Sequence, residues 1–446
     1  MFRYGLIVLF LHYAVLGSEA SALPPKKKVC VIGAGATGLA SAKHVAEYPD
    51  EFDLVVFEKN SYVGGLWNYT DSVDVDEHGL PIHTSMYKYL RTNLPKELMA
   101  FPDYRDFLGE ERSCVKHETV LAYLQNFTDH FNLHQYIQLH TLVEKVETVI
   151  GGGDWHSTTY KVHTRNLDDD TKSVTVCNAL MIGNGHYFNP RIPSIPGMDT
   201  FPGRVLHSHT YRKPEDFAGQ TVAVLGASAS GTDISIEVAE TAQKVYLSHN
   251  KDRIKSELPA NVEQVSGVVA VDGNTLTLKD GMTITADAFI FCTGFTFTYP
   301  FLDESSGIKV IDNQVYPLYK HLVNIEHPSM AFVGLPLLVV HFPLFHVQAK
   351  YFVALLRDEF KLPSKEIMMK DTELNGRRQR YAHFLGDAQW DYNDALAKEA
   401  GFEPIPSYYR EGYAMWHAYR TAKVLHYKES DLRIDENGKP TIVNPK

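Results

Sequence analysis

A glycine-rich turn near the N-terminus restricts the fold of this chain more than any other feature. Residues 28–32 form a short stretch rich in β-branched residues, and Gly33, Gly35 and Gly38 follow it in the pattern Gly-x-Gly-x-x-Gly. An apolar-periodic stretch and a second apolar run at residues 54–57 come next. Because a strand, a glycine turn, a helix and a second strand make a βαβ unit, the sequence predicts an α/β fold built on a parallel sheet.

The same turn indicates what such a unit binds. Gly33 permits the sharp turn, Gly35 lets backbone amides approach a pyrophosphate, and Gly38 lets the helix pack closely on the strand. Glu58 closes the second strand 20 residues after Gly38. A carboxylate at that place accepts ribose hydroxyls and repels a 2′-phosphate. We therefore expect FAD or NAD, rather than NADPH, at this first site.

A second turn of the same kind occurs in the middle of the chain. Residues 226–231 read GASASG, with Ser228 in place of the usual middle glycine. The strand after the next helical stretch ends in the residues SHNK, from Ser248 to Lys251, instead of an acid. A missing acid and nearby cations suit the 2′-phosphate of NADPH, although an ordinary solvated basic loop has the same composition.

Two turns predict two Rossmann-like dinucleotide-binding domains that hold two nucleotides against each other. A proline-rich link at residues 189–197 precedes the second unit, and the chain returns to the first near residue 300. The second dinucleotide-binding domain is therefore predicted to be inserted into the first. The predicted limits are residues 23–200 for the first part of the first domain, 201–298 for the inserted domain, and 299–446 for the second part of the first domain with the C-terminal region.

Residues 1–22 have the form of a secretory signal peptide. A cation at Arg3 precedes an apolar run at residues 5–16, and small residues follow at Ser18, Ala20 and Ala22. The apolar run is too short to span a bilayer, and the alternative to cleavage is an uncleaved N-terminal anchor. The sequence predicts a secreted protein with no membrane association after cleavage.

Charge and cysteine content exclude several other classes. A formal net charge of −11 argues against a nucleic-acid binder, which needs a basic face. The four cysteines form no Cys-x-x-Cys pair, which argues against a zinc site and against a flavin disulfide reductase, so no metal is predicted. Cys30 and Cys292 lie in apolar strands and are predicted to be buried thiols.

Two further stretches are ambiguous when taken alone. The residues GGLW at 64–67 let backbone pass close to a flat ligand with Trp67 beside its ring, but a turn with a core tryptophan has the same sequence. Thr92 and Asn93 precede a Leu-Pro step. Asn93 is a turn residue in one interpretation and an amide that hydrogen-bonds a flavin or nicotinamide in the other.

Together the motifs resemble those of the flavin-containing monooxygenases. Besides the features above, residues 201–211 carry the spacing Phe-x-Gly-x-x-x-His-x-x-x-Tyr, and residues 292–295 read CTGF. The order and spacing of these motifs are far more specific than any one of them. The mature chain is similar to the short, soluble type of this family, including insect members that N-oxygenate pyrrolizidine alkaloids.

The resemblance implies that the first domain, residues 23–200 and 299–446, binds FAD and that the inserted domain, residues 201–298, binds NADPH. It also implies a chemistry and a set of residues. NADPH reduces FAD, molecular oxygen adds to give a flavin hydroperoxide, and a soft nitrogen or sulfur nucleophile takes the distal oxygen. Asn93 is then the catalytic residue, which holds the intermediate and the nicotinamide, whereas the His207 motif links the domains. The predicted cofactor-binding residues are Gly33, Gly35, Gly38, Glu58, Gly65, Leu66, Trp67, Thr92, Asn93, Gly226, Ser228, Ser230, Gly231, Thr232, Asp233, Ser248, Lys251 and Gln348.

The chain departs from the family pattern at two places within these motifs. Ser228 replaces a glycine of the NADPH turn. His346, where an apolar helix is predicted to start, stands where many members have an acid before Gln-Ala. The second departure bears directly on the contacts predicted for Gln348.

The leading hypothesis is a secreted N-oxygenase of tertiary-amine xenobiotics such as pyrrolizidine alkaloids, with haemolymph as a candidate compartment. The alternatives are an S-oxygenase, a Baeyer–Villiger monooxygenase, an NADPH oxidase that releases hydrogen peroxide, and a non-catalytic nucleotide carrier. The expected partners are an amine substrate and molecular oxygen, and homo-oligomer formation stays open.

Overall fold

The computed structural model describes residues 25–444, so the predicted signal peptide at residues 1–22 lies outside the described part of the chain. The α-helices within these residues are α1 Ala36–Ala46, α2 Lys96–Met99, α3 His117–His130, α4 Ala229–Val238, α5 His341–Leu356, α6 Lys365–Asp371, α7 Gln389–Ala400 and α8 Tyr408–Ala422.

The strands of the same part of the chain are mostly short. They are β1 Lys27–Ile32, β2 Phe52–Phe57, β3 Ile137–Gln138, β4 Thr141–Val149, β5 Thr159–Asn166, β6 Lys172–Cys177, β7 Ala179–Ile182, β8 Arg204–His207, β9 Thr221–Leu225, β10 Lys244–Ser248, β11 Val262–Val265, β12 Val268–Asp272, β13 Thr275–Leu278, β14 Thr283–Thr285, β15 Ala288–Phe291, β16 Lys309–Ile311, β17 Gln314–Tyr316, β18 Leu318–Tyr319, β19 Val323–Asn324, β20 Met330–Phe332, β21 Asp431–Ile434 and β22 Pro440–Val443.

A seven-stranded sheet carries the first glycine turn. Its strand order is β18-β19-β20-β7-β1-β2-β3, and β1 runs parallel to both β2 and β7. Val29 and Val31 of β1 pack in the same core as α1 and α5, whereas Cys30 and Ile32 pack against β4 and β5 on the other face. Because both faces are covered, the strand is a continuous apolar run rather than an alternating one.

A second, five-stranded parallel sheet carries the second glycine turn. Its order is β11-β10-β9-β15-β8, and its strands come from residues 204–291. Strands β18, β19 and β20 then return to the first sheet, with β20 parallel to β7. This topology confirms the predicted α/β fold with one Rossmann-like unit inserted into another. The predicted limits at residues 200/201 and 298/299 fall outside the strands of both sheets, and they stay predictions.

A three-stranded antiparallel sheet, β4-β5-β6, lies between β3 and β7 in the chain. Cys177, at the end of β6, forms a disulfide with Cys30 of β1. The prediction that Cys30 is a thiol is therefore wrong, because the chain brings together two cysteines 147 residues apart. Cys292 is a buried free thiol, and so is Cys114.

The C-terminal region packs beside the first sheet. Trp390, Tyr409 and Trp416 form a separate apolar cluster that also contains Leu98 of α2. Helix α5 begins at His341, earlier than the start predicted at His346, because Pro343 lies in the first helical turn, where its missing N–H costs nothing. Within residues 25–444, the structure contains no helix with the length and hydropathy that a membrane span requires.

Candidate functional site

The first glycine turn lies between β1 and α1, at the carboxyl edge of the seven-stranded sheet. Gly33 has a φ of 95°, and a Cβ there would lie 2.7 Å from the carbonyl oxygen of Gly183. A Cβ on Gly38 would lie 1.7 Å from the carbonyl oxygen of Gly33. Because no larger residue fits at either position, the N-terminus of α1 is held directly against the strand ends. Backbone amides in this position favour a phosphate.

Glu58 follows β2 and lies beside this turn. Its Oε2 accepts a hydrogen bond from the backbone N–H of Ala34 at 2.7 Å, and its Oε1 accepts two from Asn60 at 2.9 Å. Burial raises the pKa of Glu58, and the bonds from Ala34 and Asn60 offset part of that effect. The carboxyl group is therefore fixed next to the turn, where the ribose-binding acid of a dinucleotide site belongs.

The segment at residues 64–67 packs on the first turn, backbone against backbone. The N–H of Gly64 donates to the carbonyl of Ala34 at 2.9 Å, and a Cβ on Gly65 would lie 3.0 Å from the Cα of Gly35. The contact between the two loops itself requires small residues here. Trp67 packs edge-on to Phe342 of α5, with 6.4 Å between the ring centroids.

The carbonyl of Leu66 is also held by the protein. It accepts a hydrogen bond from the hydroxyl of Thr84 at 2.5 Å. The hydrogen bond from Thr84 therefore fixes the backbone of Leu66 within the loop.

Three strand ends meet at α1. The hydroxyl of Thr37 donates to the carbonyl of Gly183, which follows β7, and Gly334 follows β20 close to the same threonine. The N–H of Gly334 donates to Oε1 of Gln348 at 2.8 Å, and Nε2 of Gln348 donates to the hydroxyl of Tyr392 at 2.7 Å. Both polar groups of Gln348 thus have protein partners, and this buried side chain fixes a strand end.

Asn93 and Thr92 lie in different environments, although they are adjacent. The hydroxyl and N–H of Thr92 both bond Val115, so its side chain is engaged within the protein. The Asn93 side chain is half-buried, and its amide has no hydrogen-bond partner within residues 25–444. The indole N–H of Trp416 donates to the backbone carbonyl of Asn93 at 3.1 Å. Of the two residues, Asn93 has the amide that is free for a ligand.

The contact from Trp416 was not predicted from the sequence. This residue lies 323 positions from Asn93, on helix α8. The last eighty residues contain no sequence pattern that predicts a role in the site.

The second glycine turn repeats the geometry of the first. A Cβ on Gly231 would lie 1.7 Å from the carbonyl of Gly226, so α4 also begins directly at a strand end. Ser228 and Ser230 are exposed there. Nζ of Lys251 donates to the hydroxyl of Ser228 at 2.7 Å. The serine in the middle position therefore holds a cation at the mouth of the turn.

Ser248 differs from the other residues predicted at this site. It is fully buried, its hydroxyl donates to the carbonyl of Ser266, and its Oγ accepts from the N–H of Val268. Its backbone carbonyl accepts from the N–H of Gly226. Ser248 thus supports the turn from beneath, and Lys251 is the cation that the loop presents at the surface.

Asp233, in the second turn of α4, belongs to a partly buried network. The hydroxyl of Tyr87 donates to one of its oxygens and Nζ of Lys428 to the other. Thr232, beside it, is half-buried. The carboxylate of Asp233 therefore joins the segment before α2 and the C-terminal region to the second nucleotide unit.

Glu237 lies one helical turn further along α4. Its two carboxyl oxygens are buried without a hydrogen-bond partner in the described chain, and so is the hydroxyl of Tyr211. Burial and the nearby Asp233 raise the pKa of Glu237 to about 8. The group is therefore protonated at neutral pH.

A group of histidines and aromatic residues lies between the ends of the two sheets. The rings of His207, at the end of β8, and Tyr187, after β7, each pack edge-on to Phe295, with centroids 5.1 and 5.7 Å away. Burial lowers the pKa of His186 to about 3 and that of His341 to about 4, so both imidazoles are neutral at pH 7. Residues 183–186 follow the buried strand β7, but their sequence alone predicts no function for them.

The residues at the two turns fit two dinucleotides. The first turn has a fixed acid, Glu58, where a ribose hydroxyl is expected. The second turn has no acid at the corresponding place and presents Lys251, which suits an additional phosphate. Because the turns stand at the carboxyl edges of their sheets, this arrangement matches the ligand-binding crevice of open α/β folds.

Comparison with known proteins gives the same assignment. The family model described as flavin-binding monooxygenase-like matches residues 26–256 and 250–398. The chain is 35% identical to flavin-containing monooxygenase FMO GS-OX-like 2 of Arabidopsis thaliana, over 85% of this chain and 86% of that protein. It is 33% identical to senecionine N-oxygenase of Tyria jacobaeae, over 97% of this chain and 95% of that protein.

The solved structure of S-allyl-L-cysteine S-oxygenase from Allium sativum is also similar. It superposes with a TM-score of 0.83 at 33% identity, covering 91% of this chain and 95% of that one. The predicted resemblance to the flavin-containing monooxygenases is confirmed.

Proposed function

The chain belongs to the flavin-binding monooxygenase-like family and is a flavin-dependent monooxygenase, and from this premise we propose that it N-oxygenates small tertiary amines. The enzyme uses FAD and NADPH. One molecule each of NADPH, oxygen and amine, with one proton, gives NADP⁺, water and the amine N-oxide. When bound, the flavin supplies the activation of oxygen, and the protein supplies binding, orientation and exclusion of water.

The observation that supports the use of FAD and NADPH is the pair of glycine turns. The two turns have side chains of opposite charge at the places where the nucleotide riboses are expected. Glu58 suits the unphosphorylated ribose of FAD, and Lys251 suits the 2′-phosphate of NADPH. Asn93, whose side-chain amide has no hydrogen-bond partner within residues 25–444, is the residue that holds the reacting flavin and the nicotinamide in this proposal. His186 and His341 are neutral at pH 7, so neither adds positive charge between the ends of the two sheets.

The choice of an amine rests on similarity to the senecionine N-oxygenase, which spans almost the whole of both chains. A tertiary amine such as a pyrrolizidine alkaloid is the substrate proposed for this chain. S-oxygenation is the second candidate, because the S-oxygenase from Allium sativum is as similar in sequence and has the same fold.

We further propose that the protein passes through the secretory route. Two observations support this proposal. The N-terminal sequence has the form of a signal peptide, and the Cys30–Cys177 disulfide is of the kind that persists in oxidising compartments. Mass spectrometry of the protein from its natural source tests it: the expected result is a mature N-terminus near residue 21 or 23 and an oxidised Cys30–Cys177 pair, whereas a chain beginning at Met1 with reduced cysteines would contradict it.

A competition assay tests the substrate. The purified enzyme, with NADPH and air, receives equal concentrations of a pyrrolizidine alkaloid and a thioether, and both oxides are measured together with hydrogen peroxide. We expect the N-oxide to form in step with NADPH consumption and to exceed the sulfoxide. Excess sulfoxide would favour the S-oxygenase, and peroxide without either oxide would favour the NADPH oxidase.

A further inference from the structure

A compact group of metal-ligating side chains lies away from both glycine turns. His44, near the end of α1, and His346, in the second turn of α5, are 2% and 8% exposed. Nε2 of His44 lies 3.0 Å from Nδ1 of His346, and Oδ1 of Asp103 lies 3.5 Å from that Nδ1. One ligand atom from each of the three residues lies within 4.8 Å of the others. The three residues come from three separate segments of the chain.

A neighbouring carboxylate orients one of the imidazoles. Oε2 of Glu47 lies 2.9 Å from Nδ1 of His44 and accepts its N–H, so Nε2 of His44 carries a lone pair toward His346. A carboxylate behind a histidine is the arrangement that supports metal-ligating imidazoles in proteins. Lys43 contacts the other oxygens of Glu47 and Asp103, which leaves Oδ1 of Asp103 facing the histidines.

The distances suit a small tetrahedral ion. Bonds of about 2.0 to 2.1 Å in a tetrahedron separate neighbouring ligand atoms by about 3.3 Å, which lies between the 3.0 and 3.5 Å found here. Two imidazoles with one carboxylate favour Zn²⁺ and related transition metals over Mg²⁺ and Ca²⁺, which prefer oxygen ligands alone. Asp103 is exposed, so the group can be reached from solvent.

We propose that His44, Asp103 and His346 form a binding site for a divalent transition-metal cation of the zinc type, with Glu47 as the positioning carboxylate. A solvent molecule occupies the remaining coordination position. The two carboxylates and Lys43 give the direct surroundings one net negative charge before the ion binds. Lys350, the other nearby cation, holds its ammonium over the ring of Phe402, with 4.5 Å to the centroid.

The role of this site is structural. His44 lies about 12 Å along α1 from its first residue, at 1.5 Å per residue, so the ion stands away from the glycine turn. It would tie α1, the helix behind the first turn, to α5, whose Gln348 holds the strand end at Gly334. An ion here would stabilise the FAD-binding unit without contact with reacting atoms.

A second histidine–aspartate group provides a matched control. His78, His140 and Asp168 also place their ligand atoms within 4.8 Å, but the two histidines are half-exposed. Oδ1 of Asp168 lies 3.2 Å from Nδ1 of His140, so this aspartate contacts an imidazole directly. The substitution His140→Gln removes this group and leaves the proposed site intact.

The test is the binding of Zn²⁺ to flavin-loaded enzyme that has been treated with a chelator and dialysed. We expect one Zn²⁺ per chain by calorimetry and by elemental analysis, and a melting temperature that rises with Zn²⁺ concentration. His140→Gln should bind equally well, His346→Gln should lose stoichiometric binding, and Glu47→Ala should weaken the affinity about 10-fold to 100-fold. Retained flavin absorbance shows that each variant is folded.

Two results would overturn the proposal. One is a wild-type enzyme that binds no Zn²⁺, or no more than weakly and without a rise in melting temperature. The other is binding that disappears in His140→Gln and persists in His346→Gln. If His346→Gln fails to fold, the wild-type stoichiometry and the comparison of Glu47→Ala with His140→Gln still decide the question. None of these readouts depends on oxygenase activity.

Discussion

Asn93 combines a backbone held by the protein with a side chain that the protein leaves free. Its carbonyl accepts the indole N–H of Trp416, and its amide has no partner in the described residues. An amide in this state is positioned without being consumed by an internal hydrogen bond. It can therefore hold a ligand with little reorganisation.

Asn93→Ala is expected to keep its FAD and to lose oxygenation of the amine. Removing a single preorganised donor typically costs about 100-fold or more in kcat. The oxide yield per NADPH should fall and hydrogen peroxide should rise. Asn126→Gln, in which the replaced amide bonds the carbonyl of Ala122 within α3, is the control and should behave as wild type. An unchanged oxide yield in Asn93→Ala would remove Asn93 from the mechanism.

We expect the positive charge of Lys251 to determine the preference of the enzyme for NADPH over NADH. Its ammonium lies at the second turn on the hydroxyl of Ser228. Loss of a charge-assisted contact of about 1.5 to 3 kcal/mol predicts a rise of about 10-fold to 160-fold in KM for NADPH in Lys251→Met, with KM for NADH unchanged. Steady-state kinetics with both cofactors measure this.

Lys255→Met is the matched control, because this lysine is exposed on the same loop. It should leave the KM for NADPH as in wild type. An equal rise in KM for NADH in Lys251→Met would contradict a role in recognising the 2′-phosphate.

At the residue scale, sequence patterns predicted the roles of the turn glycines more accurately than the roles of the residues around the turns. Gly33, Gly38, Gly226 and Gly231 stand where the pattern placed them, since each is forced by a backbone contact. Ser248 was assigned to the phosphate because it ends a strand. Whether its hydroxyl faces a ligand or the core depends on Ser266 and Val268, which the local sequence does not reveal.

Helix α8 supports the first site from the C-terminal region. Trp416 is fully buried in the cluster that includes Leu98 of α2, and its indole reaches Asn93. Because an isolated helical sequence carries no information about its distant partner, this role could not be predicted. The fold of the two βαβ units could be, because their strands, turns and helices are contiguous in sequence.

Trp416→Phe is expected to keep most of the packing while it removes the hydrogen bond to Asn93. The loss of the partner of one carbonyl should lower the free energy of unfolding by about 1 to 3 kcal/mol. The displaced Asn93 should also raise hydrogen peroxide per NADPH. Trp390→Phe is the control, since it alters the same cluster and its indole N–H donates to no site residue in the described chain. A variant at Trp416 with wild-type peroxide yield would show that α8 does not position Asn93.

At the scale of the whole molecule, the stability of the second unit is coupled to pH through Glu237. Its pKa is raised from 4.5 to about 8, first by burial and then by Asp233. Between these two values the native state holds a proton that the unfolded state releases. The free energy of unfolding therefore falls as pH rises from about 5 to 8, by at most about 1.4 kcal/mol per unit from this group.

Glu237→Gln is expected to remove this slope, because an amide resembles the protonated acid in shape and does not ionise. Denaturant unfolding of the variant and the wild type at pH 5 to 9 measures the difference, which should grow in favour of the variant as pH rises. Glu257→Gln, at an exposed position on the loop after β10, should not change the slope. A constant difference between Glu237→Gln and wild type across this range would contradict the raised pKa.

Features formed by segments that are far apart in the chain could not be predicted from the sequence. The disulfide joins Cys30 to Cys177, and the proposed metal site joins α1, α5 and the segment after α2. Neither has a local spacing such as Cys-x-x-Cys. The inserted arrangement of the two units was predictable, because a proline-rich link at residues 189–197 precedes the second turn and the chain returns to the first unit near residue 300.

The most direct test of a paired FAD site and NADPH site is anaerobic reduction of the purified, flavin-containing protein by NADPH. The two turns should bring both nucleotides together, so the yellow flavin absorbance should bleach rapidly with NADPH and much more slowly at the same concentration of NADH. Readmission of air with an amine present should restore the absorbance and yield the N-oxide. A protein that carries no flavin, or whose bound flavin NADPH does not reduce, would contradict the assignment of the two sites.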